Sequence, residues 1–162
     1  MNSIEVKFKR LFEDVEIPTK AHVDDAGFDI QAFFEKNRSG MRDDIILFAG
    51  QSTLIKCGFC LEIPSGYEAQ VRSRSGLSLK NQIIVLNSPG TIDSSYRGEI
   101  GVILANFSNS WFRIEHGMRI AQLVFNKIPN VVFNVSEKLS DSSRDADGFG
   151  SSGVFQLSNI NY

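Results

Sequence analysis

Between Leu54 and Ile63 the sequence puts Ile55, Cys57, Phe59, Leu61 and Ile63 on one parity, and Leu54, Lys56, Gly58, Cys60 and Glu62 on the other. Successive side chains of a strand point to opposite faces, so a period of two kept over this length predicts an extended strand. The period resumes after Pro64-Ser65-Gly66 at Tyr67, Ala69 and Val71, giving two strands joined by a Pro/Gly turn. With 13 Phe and 13 Gly in 162 residues, the rest of the chain has the composition of short apolar strands broken by turns. That length predicts one domain able to bury roughly two thirds of its unfolded surface in a single core.

Further strands are expected where Ile4, Val6 and Phe8 alternate with charged residues, from Gln82 to Asn87, and at Trp111 to Ile114. Another runs through Ile120, Val124 and Ile128 with Gln122 on its face, and a last one holds Val131, Phe133 and Val135. Ile100 to Ala105 is apolar on both parities and reads as buried on both sides, one of them against a neighbouring subunit. From residue 137 the chain turns polar and Gly-rich, so the division expected is a β-domain over 1–136 and a C-terminal arm over 137–162. A net charge of −2 argues against a nucleic-acid binder. No secretory pattern and no run of about 18 apolar residues is seen, which leads to a cytoplasmic expectation with no membrane partner. Cys57 and Cys60 form a lone CxxC; three apart in a strand they point to opposite faces and share no metal.

Four segments carry chemistry. Asp24, Asp25 and Asp29 surround Gly27, either as a solvated turn or as an acidic rim for hydrated Mg²⁺. Arg72 to Lys80 (RSRSGLSLK) is either a serine-rich capped turn or a phosphate cradle opening a short helix. Gly90 to Ile100 (GTIDSSYRGEI) reads as a β-hairpin with Asp93 at its tip beside Tyr96. His116 falls in a turn and His22 in an early loop, and both read as surface histidines. Gly148 to Gly153 matches GxGxxG formally, but the nine residues after it hold neither a helix nor an acidic residue. The segment reads either as an untethered terminus or as an arm that closes over a nucleotide.

Five segments in order resemble the dUTP pyrophosphatase (dUTPase) family: DDAGFDI from Asp24, RSGLS from Arg74, GTIDSSYRGEI from Gly90, GMRIAQLVF from Gly117 and RDADGFGSSG from Arg144. The resemblance implies an all-β, jelly-roll-like barrel or sandwich with one short helix. It further implies a homotrimer whose active sites are shared between chains, and hydrolysis of dUTP to dUMP and pyrophosphate with Mg²⁺. Asp93 then corresponds to the general base for water attack on the α-phosphorus, and Asp29 to the residue that holds Mg²⁺ through water. Arg74, Ser75, Gly76 and Gln122 correspond to phosphate ligands. Asn87, Gly90, Thr91 and Ile92 correspond to the uracil reader, Tyr96 to the sugar check and Gly101 to the pocket rim. From the arm, Arg144, Ser151 and Ser152 correspond to γ-phosphate contacts, Gly150 to a further substrate contact and Phe149 to a ring stacked on uracil.

The chain departs from the family pattern at Ser95, Met118, Asp145 and Asp147, and its connection from Glu35 to Asp44 is longer. Two other readings compete: a dCTP deaminase of related fold, and a non-catalytic nucleotide-binding trimer that signals to a protein.

Overall fold

The computed structural model describes residues 3–146, and most of the period-two segments become strands. In chain order these are β1 (Lys7–Arg10), β2 (Phe28–Gln31), β3 (Ile45–Leu47), β4 (Ser52–Glu62), β5 (Tyr67–Arg72), β6 (Ile83–Val85), β7 (Gly90–Ile92), β8 (Glu99–Asn106), β9 (Phe112–Ile114) and β10 (Arg119–Lys127), with α1 (Ser75–Asn81) after β5. They form two antiparallel four-stranded sheets, ordered β1-β4-β8-β6 and β2-β10-β5-β7, and a ribbon of β3 with β9. Ile55 and Phe59 of β4, Ala69 and Val71 of β5, Leu104 of β8 and Leu123 of β10 are buried in one core. Among the described residues the architecture is mostly β with a single short helix. No helix there is long and apolar enough to cross a membrane.

Tertiary pairing changes several sequence expectations. The first strand begins at Lys7 rather than Ile4, because its register with β4 runs from Lys7↔Glu62 to Arg10↔Phe59. The stretch from Gly90 to Ile100 is not a hairpin. β7 pairs with β5 in one sheet, whereas β8 pairs with β4 and β6 in the other, so residues 93–98 cross between sheets. β8 buries Ile100, Val102 and Leu104 on one face within the chain; on the other, Ala105 is buried while Gly101 and Ile103 line a cleft, the face expected to meet a neighbouring subunit. Val131, Phe133 and Val135 form no strand. They are exposed and lie in a second unit that starts at Val131. Alternation alone makes no strand, since backbone donors and acceptors need a neighbouring strand to pair with.

The long run on which the fold rests is itself broken once. Between Lys56 and Cys60 the β4–β8 register shifts, and Gly58 takes a positive φ of 75°. The register shifts by two, so the parity of β4 survives: Ile55, Cys57, Phe59, Leu61 and Ile63 all lie in one core cluster, and Cys60, though buried, does not join it. Burial pushes the Cys57 thiol up to about 12, which leaves it protonated and inert.

His116 is not a free surface histidine. Its Nδ1 accepts the Phe34 N–H at 3.1 Å and its ring meets the Phe33 ring edge-on at a centroid distance of 5.2 Å. Burial, followed by the nearby Arg42 cation, lowers its pKa below the ordinary 6.5. A lowered folded-state value means that the neutral ring is the stabilised form, so its contribution is complete above 6.5 and is lost as pH falls through the folded value. The melting temperature is expected to fall with acidification below pH 6.5 and to fall less in His116→Gln; equal slopes in a thermal scan would refute this.

Candidate active site

One cleft, of about 350 Å³, is built where β2, β10 and the start of α1 meet, and Asp25, Gly27, Asp29, Arg74, Ser75 and Gln122 are among its lining residues. Asp29 on β2 lies across from Gln122 on β10. The Arg74 backbone is extended just before the helix, and its carbonyl accepts both the N–H and the hydroxyl of Ser78 at 3.0 and 3.1 Å. Its guanidinium forks onto Asp29, with Nε donating to Oδ1 at 2.8 Å and Nη2 to Oδ2 at 3.3 Å. Arg119 Nη1 donates to the same Oδ2 at 3.2 Å. Gln122 Nε2 donates to the Ser73 carbonyl at 3.0 Å, which supplies the partner that a half-buried amide requires. Gly27 makes room for that amide, because a Cβ there would stand 2.1 Å from Gln122 Oε1. Ser75 and Gly76 are exposed at the mouth.

A second cleft, of about 240 Å³, lies over the crossing between sheets and includes Leu54, Asn87, Thr91, Ile92, Asp93, Tyr96, Gly101 and Ile103 in its lining. Asp93 is exposed in a turn closed by the Tyr96 N–H donating to its carbonyl at 3.1 Å. Among the described residues no donor reaches its carboxylate. Tyr96 folds back over Gly98 and its hydroxyl donates to the Glu99 carbonyl at 3.0 Å. A Cβ on Gly98 would come within 2.4 Å of the Tyr96 hydroxyl oxygen and 2.6 Å of Cζ, so only glycine accepts the ring in this position. Gly90 is buried beside the Asn87 amide, 3.1 Å from where a Cβ would stand, and Gly101 leaves space for Leu54.

The two clefts share no lining residue: Asp93 lines one, and Arg74 and Gln122 line the other. Arg144 belongs to the second unit, and Asp147, Phe149, Gly150, Ser151 and Ser152 lie outside the described residues. Of the departures, Met118 packs its side chain against the core and its carbonyl accepts the Ala32 N–H at 2.9 Å. Asp145 takes φ 43°, a conformation that favours glycine. Nothing in the structure explains Ser95. Sequence reasoning missed Gly27, Gly98 and Arg119. Each lies inside a motif it singled out, but close approach and side-chain direction are not visible in one dimension.

The dUTPase family model matches residues 13–153. The deoxyuridine 5'-triphosphate nucleotidohydrolase of Clostridium tetani is 44% identical over 153 residues, covering 94% of this chain and 99% of that protein. The chain belongs to the dUTPase family. Among solved structures, a mutant dUTPase of Staphylococcus bacteriophage 80alpha with dUpNHpp is similar at a TM-score of 0.81 and 28% identity, covering 94% of this chain and all of that one. A mutant dUTPase of phage phi11, described as coordinating a structural Mg(II) ion, shares the fold at a TM-score of 0.73 and 22% identity over 85% of this chain and all of that one. In this dUTPase-family chain, Asp29, Arg74 and Gln122 line one cleft and Asn87, Asp93 and Tyr96 line another.

Proposed function

We propose that the chain hydrolyses dUTP to dUMP and pyrophosphate in sites shared between copies in a homotrimer, with Asp93 of one copy facing the cradle of another. The observation that carries this reading is the division of the family's motif residues between two clefts of one chain, each incomplete for catalysis. A closed oligomer joins unlike patches of identical chains and completes such sites. In the cradle, Arg74 and Gln122 hold phosphate oxygens. Asn87, Gly90, Thr91 and Ile92 bound the base, and Tyr96 leaves no space for a ribose 2′-OH. Asp93 takes a proton from a water as that water's oxygen bonds to the α-phosphorus; the bond from the α-phosphorus to its bridging oxygen breaks, and pyrophosphate leaves. In the arm, Arg144 and the residues after it supply the contacts that close over the γ-phosphate.

The donor set suits an Mg²⁺ carried by the substrate rather than one caged by the protein. Among the described residues no three His, Cys, Asp or Glu side chains are placed to hold a metal. Asp29 already accepts three N–H bonds, which leaves room for one metal-bound water. Bound with the triphosphate, Mg²⁺ neutralises charge that builds up on the departing pyrophosphate.

The test is pyrophosphate release from dUTP, dTTP, dCTP and UTP, run on the parent chain and on Gly98→Ala. The parent is expected to act on dUTP alone; comparable turnover of UTP or dTTP sinks the pocket assignment, and ammonia from dCTP favours a deaminase. Tyr96 is 44% exposed and has room to swing outward, so Gly98→Ala is expected to stay folded. It should lose discrimination against UTP by about tenfold or more, as the ring no longer fills the 2′ position.

A further inference from the structure

We infer that Arg119 is a positioning residue for the substrate phosphates, acting through Asp29 on Arg74; the inference rests on the dUTP-hydrolysing reading and deepens its phosphate cradle. Arg74 spends three of its five N–H bonds on a frame made by Asp29 and by the Arg119 carbonyl, the latter at 3.1 Å from Nη1. The orientation of its remaining donors is therefore set before any ligand arrives. Arg119 closes the frame from the far side with its own guanidinium on Asp29 Oδ2.

The strand carries a dedicated irregularity that puts Arg119 there. β10 shifts register between Arg119 and Ala121: Ala121 pairs with the buried Ile30, and Arg119 pairs with Gln31, two residues from Asp29 on the same face. In an unbroken strand Arg119 would share the inward parity of Ala121, and the bulge re-aims it outward. Charge gives the placement its purpose. The Asp29 side chain is 16% exposed and cancels one guanidinium, so Arg74 and Asp29 alone would present a neutral pair to an anion. Arg119 restores a net positive trio, and with three of its lone pairs engaged Asp29 acts first as the anchor of Arg74.

The experiment uses the full chain with Arg119→Gln and Arg119→Lys, reading dUTP KM and kcat, pyrophosphate affinity by calorimetry, and half-saturating Mg²⁺. Arg119→Gln is expected to raise KM and weaken pyrophosphate together by about tenfold, with kcat reduced less than about threefold and half-saturating Mg²⁺ unmoved. Arg119→Lys keeps the charge and is expected to recover most of the pyrophosphate affinity. Parent-like KM and pyrophosphate affinity in Arg119→Gln overturn the inference, as does an altered Mg²⁺ requirement as the sole change, or no recovery with lysine. The Arg119 side chain is 54% exposed, so neither variant should unfold the protein, which a melting curve checks. A parent chain that fails to hydrolyse dUTP sinks the functional reading alone, because the pyrophosphate titration still tests the clamp.

Discussion

Asp93→Asn is expected to lower dUTP turnover by about 10²–10⁴-fold while dUTP affinity changes by no more than about threefold, the usual worth of a placed general base. Asn keeps the size and hydrogen-bonding reach of the carboxylate but cannot accept the water's proton. Because no protein donor among the described residues reaches the carboxylate, the substitution removes no structural bond. Single-turnover kinetics with a parallel binding titration separates the two effects; near-parent turnover would show that another group is the base. The same variant tests sharing between chains. Mixing Asp93→Asn chains with Arg74→Ala chains, each inactive alone, should restore about a quarter of the sites if every site takes Asp93 from one copy and Arg74 from another. No recovery after subunit exchange would place both residues in one chain's site.

Gly58→Ala is expected to destabilise the protein by roughly 3 kcal/mol, lowering the melting temperature by about 6–12 °C for a chain of this size. Two costs combine at this residue. Its φ of 75° is strained for any residue with a Cβ, and a Cβ would stand 2.7 Å from Val15 Cγ2 and 2.8 Å from Phe33 Cγ, both on buried residues. Neither neighbour yields freely, since Phe33 is stacked on Phe12 at 4.6 Å and edge-on to His116 at 5.2 Å. Gly50 supplies the comparison: its φ is 73° but nothing lies within 4 Å of its Cβ position, so Gly50→Ala carries only the backbone cost. Equal thermal shifts for the two variants would remove packing from the explanation.

The β class, the helix after Arg74 and the segments that carry chemistry were legible in the residue order, because they depend on local periods and on short motifs whose chemistry is written in residue types. The period at Ile55 to Ile63 was enough to expect a strand, GTIDSSYRGEI was enough to expect a carboxylate beside a ring, and RSGLS left a capped turn and a phosphate cradle both open. Which strands pair was not legible. Gly90 to Ile100 has the local signature of a hairpin, yet its halves join different sheets, β7 alongside β5 and β8 alongside β4. Val131 to Val135 has the alternation of a strand and forms none.

By itself, then, the sequence determined which groups exist for the chemistry and that their supports are extended. Only the tertiary structure decided that β4 bulges at Gly58, that Gly98 seats the Tyr96 ring, and that a bulge turns Arg119 onto Asp29. It also decided that the Asp93 cleft and the Arg74 cleft stand apart in one chain. The physical reason is the same in each case: face, register and close approach are set by residues dozens of positions away. A one-residue slip against them reverses where a side chain points.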